Sequence, residues 1–122
     1  MEKLIRDNII DTAREKWDIM SYRIVSSVEE MVGFLCKKLD EELGEYKITT
    51  AHQEKTEEAG DVLEVLDTLI ELYPTRELHI HMKQYFIQQC VSDLLNTDRI
   101  LTWQIQKRDE KWGFKKWIIW IY

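Results

Sequence analysis

The chain has 122 residues, of which 44% are hydrophobic and 33% charged, with only four Gly and one Pro. That length sets one domain, the balance excludes a disordered chain, and the scarcity of turn formers excludes an all-β fold. The net charge of −6 argues against general nucleic-acid binding.

In chain order, residues 2–17 read as a short helix with a frayed entry. "MEKLIRDNII" has no long apolar core, so no signal peptide is expected. "MSYRIVSS" (20–27) has strand-like residues without a partner run and reads as an extended connector. Ser26 or Ser27 can cap the next helix, which carries Glu29 and Glu30 in its first turn. That helix is expected over about Val28–Tyr46, with Val28, Val32, Leu35, Leu39 and Leu43 or Tyr46 on its apolar stripe. "KITTAHQE" (47–54) is a polar connector.

A second helix is expected over about Glu54–Tyr73, its core face carrying Ala59, Val62, Leu63, Leu66, Leu69, Ile70 and Tyr73. Pro74 stops it. A third helical region carries Leu78, Met82, Tyr85, Phe86, Cys90, Leu94 and Leu95. It breaks near Asn96–Asp98 and resumes through Trp103 to about Lys111. "FKKWIIWIY" follows as a tail too apolar to be free, expected against the bundle or a partner subunit. The fold class is all-α: a small helical bundle around an antiparallel helix pair. The longest apolar run is far below spanning length. Cys36 and Cys90 read as reduced core thiols of a cytoplasmic protein.

Charge is unevenly spread. From Asp40 to Glu71 there are 11 acidic and two basic residues, so −9 of charge sits there and +3 elsewhere. The helical register sorts these acids. With Leu39 at the centre of the first stripe and about 100° per residue, Glu42 lies about 60° to one side and Glu45 about 120°. Glu41 turns nearly opposite. With Leu66 at the centre of the second stripe, Glu58 and Asp61 lie about 80° and about 140° to the same rotational side. In an antiparallel pair these four line one groove. Glu57, Glu64, Asp67 and Glu71 are expected on a solvated face. Converging carboxylates resist ionisation unless a cation compensates, and hard oxygen donors suit Mg²⁺ or Mn²⁺. His79 and His81, two apart on a helix, face apart and make a poor metal pair, and His52 reads as a solvated loop residue.

"EELGE" with "EAGD" twelve residues later forms EExxE, spacer, ExxD. This resembles the MazG-like and phosphoribosyl-ATP pyrophosphohydrolase superfamily of all-α nucleoside triphosphate pyrophosphohydrolases. "KLIRDNII" (3–10) is similar to that family's opening "KLVRDKIP", and "KRDEKWGFKKWI" (107–118) to its closing "KRxxRGGFxKRI". The similarity spans most of the chain except about 74–105. Asn8, Ile10 and Trp112 depart from the family pattern.

The resemblance implies one MazG-like domain over 1–122, with Glu42, Glu45, Glu58 and Asp61 as metal ligands and Glu41 beside them. It implies Mg²⁺-dependent hydrolysis of a nucleoside triphosphate to monophosphate and pyrophosphate, in house-cleaning of non-canonical nucleotides. Phosphoribosyl-ATP hydrolysis in histidine biosynthesis uses the same box and is the enzymatic alternative. A non-catalytic helical partner-binding module is the alternative outside catalysis. Lys3, Arg6, Lys107, Arg108, Lys111 and Lys115 are candidates for the substrate's phosphates. Family members are commonly oligomers, so a dimer or tetramer is expected.

Overall fold

The computed structural model describes residues 2–6, 21–25, 27–72, 76–107 and 117–121. The chain divides into two compact units, Met1–Phe34 with Gln106–Tyr122, and Leu35–Ile105. The described chain is predominantly helical, and the Leu35–Ile105 unit holds no strand among its described residues.

The terminal unit departs from the expected all-helical reading. Strands β1 (Glu2–Arg6), β2 (Ser21–Ile24) and β3 (Trp117–Ile121) form a three-stranded antiparallel sheet of order β1-β3-β2. Ile119 of β3 pairs with Leu4 on one side and Arg23 on the other. The run "WIIWI" is thus a central strand and not an unpaired tail. "SYRI" does have a partner, and residues 2–6 are strand and not helix. The strand hydrogen-bonded on both edges is the one whose sequence is all aromatic and β-branched, the residue types that favour strands.

Helix α1 spans Val28–Ile48. The Glu30 N–H donates to Ser27 Oγ at 3.1 Å, the expected cap. Leu35, Leu39 and Tyr46 are its buried residues. Val28 is exposed, contrary to its place on the expected stripe. Cys36, about 60° from Leu39 on the side away from Glu42, is exposed and not a core thiol. Cys90 is buried, and both cysteines are free.

Helix α2, His52–Glu71, begins after a three-residue link. It is buried around most of its circumference, through Ala59, Gly60, Val62, Leu63, Val65, Leu66 and Leu69. Helix α3, Arg76–Ser92, packs on it. Of the apolar residues that the third helical region carries, Phe86 and Cys90 are buried, whereas Leu78, Tyr85 and Leu94 are exposed. Helix α4, Thr97–Lys107, is capped by Asn96, whose Oδ1 accepts from the Asp98 and Arg99 N–H groups at 2.9 and 3.2 Å. No helix of the described residues is long and apolar enough to cross a membrane.

The end of α3 is sharply built. The Leu95 N–H donates to the Cys90 carbonyl at 2.9 Å and the Leu94 N–H to the Val91 carbonyl at 3.0 Å. This is the Schellman pattern, which places its closing residue in the left-handed region. That residue is Leu94, with φ 64° and 83% exposure. A leucine there costs about 1 kcal/mol and gains no burial in return. Leu94→Gly is expected to stabilise the chain by about 1 kcal/mol in urea unfolding. No change, or a loss, would show that the exposed leucine contributes more than its backbone costs.

Candidate metal centre

Burying Leu39 and Tyr46 of α1 leaves Glu42 on the flank of the buried stripe. Burying Val62 and Leu66 of α2 leaves Glu58 and Asp61 one turn apart. All three carboxyl side chains are half-buried. One oxygen from each of Glu42, Glu58 and Asp61 lies within 4.8 Å of the others. Glu45 is exposed but close enough that its charge acts on both Glu42 and Glu58. Glu41 is exposed and outside this group.

The electrostatics follow from crowding in a partly dry setting. Burial is the largest influence on Glu42 and pushes its carboxyl up to about 7; the Lys38 ammonium, 3.6 Å away, pulls the other way, and Asp61 and Glu45 push up further. Glu58 is also pushed up to about 7, first by burial and then by Asp61, Glu45 and Glu42. Glu42 Oε2 and Glu58 Oε2 are buried with no hydrogen-bond partner. Two buried carboxylate oxygens without donors, beside further carboxylates, are what a hard divalent cation satisfies. The donor set therefore fits Mg²⁺ or Mn²⁺.

A pH dependence follows. In the unfolded chain these carboxyls release their protons near 4.5, whereas the folded chain keeps them to about 7. Folding takes up protons in that window, so the chain in EDTA is most stable at the acid end and loses stability as pH rises through 7. The expected loss is on the order of 2 kcal/mol, discounted because the groups interact and are partly wet. Thermal melts in EDTA across pH 5–8 check this, and a melting temperature rising over that range contradicts it.

Gly60, between Glu58 and Asp61, is where Trp103 of α4 reaches α2. A Cβ at Gly60 would lie 2.7 Å from Trp103 Cδ1. Alanine gains about 1 kcal/mol of helix propensity, but displacing an indole edge costs about 1–3 kcal/mol. Gly60→Ala is expected to destabilise by about 1 kcal/mol in urea unfolding; a stabilised variant would show that Trp103 moves freely.

The opposite side of α2 differs from expectation. Glu64 is only 4% exposed, not solvated, while Glu57 and Asp67 are half-buried and Glu71 is exposed. Gln104 Nε2, itself buried, donates to Glu64 Oε2 at 2.9 Å and to Asp67 Oδ2 at 2.8 Å, and Lys83 Nζ stands 2.6 Å from Asp67 Oδ1. These acids are spent tying α3 and α4 to α2. Nothing in the local sequence announces this, because Gln104 lies 40 residues from Glu64.

Of the other candidates, Lys3 and Arg6 lie on β1, in the terminal unit. Lys107 is the half-buried last residue of α4. Arg108, Lys111, Lys115 and Trp112 lie outside the described residues. His79 is buried and His81 exposed, so they do face apart. His52 opens α2, with Nε2 3.0 Å from the Leu94 carbonyl oxygen.

No family model matches this chain, and neither a curated protein nor a solved structure does.

Proposed function

We propose that the chain is a divalent-metal-dependent nucleoside triphosphate pyrophosphohydrolase, with Mg²⁺ or Mn²⁺ held by Glu42, Glu58 and Asp61. The observation that carries the reading is the convergence of these three oxygens within 4.8 Å, two of the carboxylates having a buried oxygen without a donor. The motif order from "KLIRDNII" through "EELGE" and "EAGD" to "KRDEKWGFKKWI" supplies the substrate class.

When bound, a divalent cation supplies positive charge to the phosphate oxygens and acidifies a water molecule. The chain's own residues do the rest. Glu42, Glu58 and Asp61 fix the position of that charge. To Glu45, exposed, outside the trio and close enough to act on Glu42 and Glu58, this reading gives the role of accepting the proton of the water that adds across the α–β phosphoanhydride. The products are the monophosphate and pyrophosphate. A dimer or tetramer belongs to the same reading.

The test is pyrophosphate release from a panel of normal, deaminated, oxidised and deoxy triphosphates and phosphoribosyl-ATP, with and without Mg²⁺. Mg²⁺-dependent release from at least one is expected, and its identity separates nucleotide house-cleaning from the histidine-pathway reaction. Silence across the panel would favour a binding module on the same scaffold.

A further inference from the structure

A cleft of about 810 Å³ opens within the Leu35–Ile105 unit, on the flank of α1 away from the carboxylates. Leu43 and Lys47, which line it, turn about 40° and about 80° from Leu39, opposite in sense to Glu42 and Glu45. The proposed hydrolysis makes no use of it. Its floor is apolar and aromatic, with Leu39, Leu66, Met82 and Phe86 below and Tyr85, 73% exposed, at the rim. Phe86 meets Tyr46 edge-on, with ring centroids 5.0 Å apart.

The polar groups of the cleft point to its occupant. Lys47, Lys55 and His81 line it against one acid, Asp93. Asp93 is already engaged, accepting from Tyr46 OH at 2.5 Å and from Gln89 Nε2 at 3.2 Å. Lys55 Nζ is half-buried, donates to the Tyr46 and Thr49 carbonyls at 3.1 and 3.3 Å, and stands 4.3 Å above the Tyr46 ring. The Tyr46 and Gln89 hydrogen bonds, and then the charge of Lys55, hold the Asp93 carboxyl below its usual range, so Asp93 is the one acid of the cleft that offsets its cations. The only two basic residues of the strongly acidic 40–71 segment are both at this cleft. Two lysines and a histidine against the single acid Asp93, over an aromatic floor, are the complement of an anion carrying an apolar body.

We propose that this cleft binds a small amphipathic organic anion, its ring or short chain on Leu39, Met82 and Phe86 and its anionic group toward Lys55 and Lys47. The site shares no residue with the metal centre, so the two readings stand or fall separately.

The test uses 1-anilinonaphthalene-8-sulfonate as probe on the full chain at pH 7, with its uncharged relative N-phenyl-1-naphthylamine beside it. Saturable one-site fluorescence enhancement by the sulfonate is expected, with the uncharged probe at least 10-fold weaker. Lys47→Glu, an exposed change, is expected to weaken the sulfonate at least 10-fold, and Met82→Trp, which fills the cleft, to abolish binding while far-UV circular dichroism stays unchanged. Absence of saturable binding, equal binding of both probes, or binding that survives Met82→Trp overturns the proposal. Sedimentation run in parallel covers the other occupant: if binding disappears as the chain self-associates, a second copy fills the cleft and the proposal fails.

Discussion

Glu58→Gln is expected to melt at a higher temperature than the parent chain in EDTA at pH 8, and to lose Mg²⁺-dependent pyrophosphate release by at least about 100-fold. The two effects have one cause. At pH 8 the Glu58 carboxylate is ionised against its tendency, with a buried oxygen that no donor satisfies and with Asp61, Glu45 and Glu42 beside it. An amide removes the charge and offers two N–H donors to those neighbours, so repulsion becomes hydrogen bonding. A gain of several degrees is expected for a chain of this size. The same change removes an anionic ligand, and Mg²⁺ should no longer raise the melting temperature. Glu42→Gln should behave alike, with a smaller gain because Lys38 already offsets part of the Glu42 charge. A carboxylate kept for stability would show the reverse pattern: a lower melting temperature and unchanged activity.

The second large effect is expected from Gln104→Ala, a destabilisation of about 3 kcal/mol, or roughly 10 °C. The Gln104 side chain is 3% exposed and its amide nitrogen serves Glu64 and Asp67 together. Alanine withdraws that donor from a buried carboxylate and leaves a cavity at the junction of α2 and α4. The double variant with Glu64→Ala should cost clearly less than the sum of the two single changes, since both remove the same hydrogen bond. A single-variant cost below about 1 kcal/mol, measured by urea unfolding, would mean that the remaining contacts of Glu64 suffice.

The contrast between Glu58 and Glu64 shows how far the sequence can be read. The bounds of α1 and α2 were legible to within about two residues, because one seam of apolar residues at helical spacing dominates each. That seam also placed Glu42, Glu45, Glu58 and Asp61 on one flank and turned Glu41 away from them; the oxygens of Glu42, Glu58 and Asp61 converge, while Glu45 stands outside that trio. A register centred on a single seam presumes a single buried face, however. Helix α2 is enclosed on several sides, so Glu64, opposite the seam, meets Gln104 and not water.

The terminal sheet was illegible for a related reason. Its strands are four or five residues long, and β3 lies more than 90 residues beyond both partners. A strand that short carries too little periodicity to announce a partner at such separation. The cleft beside Tyr46 has the same origin. Leu43 reads as an ordinary stripe residue and Tyr85 as one apolar residue among several, and only the packing of α3 shows that they wall an opening.

The central claim is the cation site, and calorimetric titration of Mn²⁺ into the chain at pH 7 tests it most directly. Run in two buffers of different ionisation enthalpy, it reads binding and proton release together. The account predicts saturable binding, release of protons held by Glu42 and Glu58, and loss of both signals in Glu42→Gln and Glu58→Gln. Absence of saturable heat, or the same isotherm in all three proteins, would contradict it.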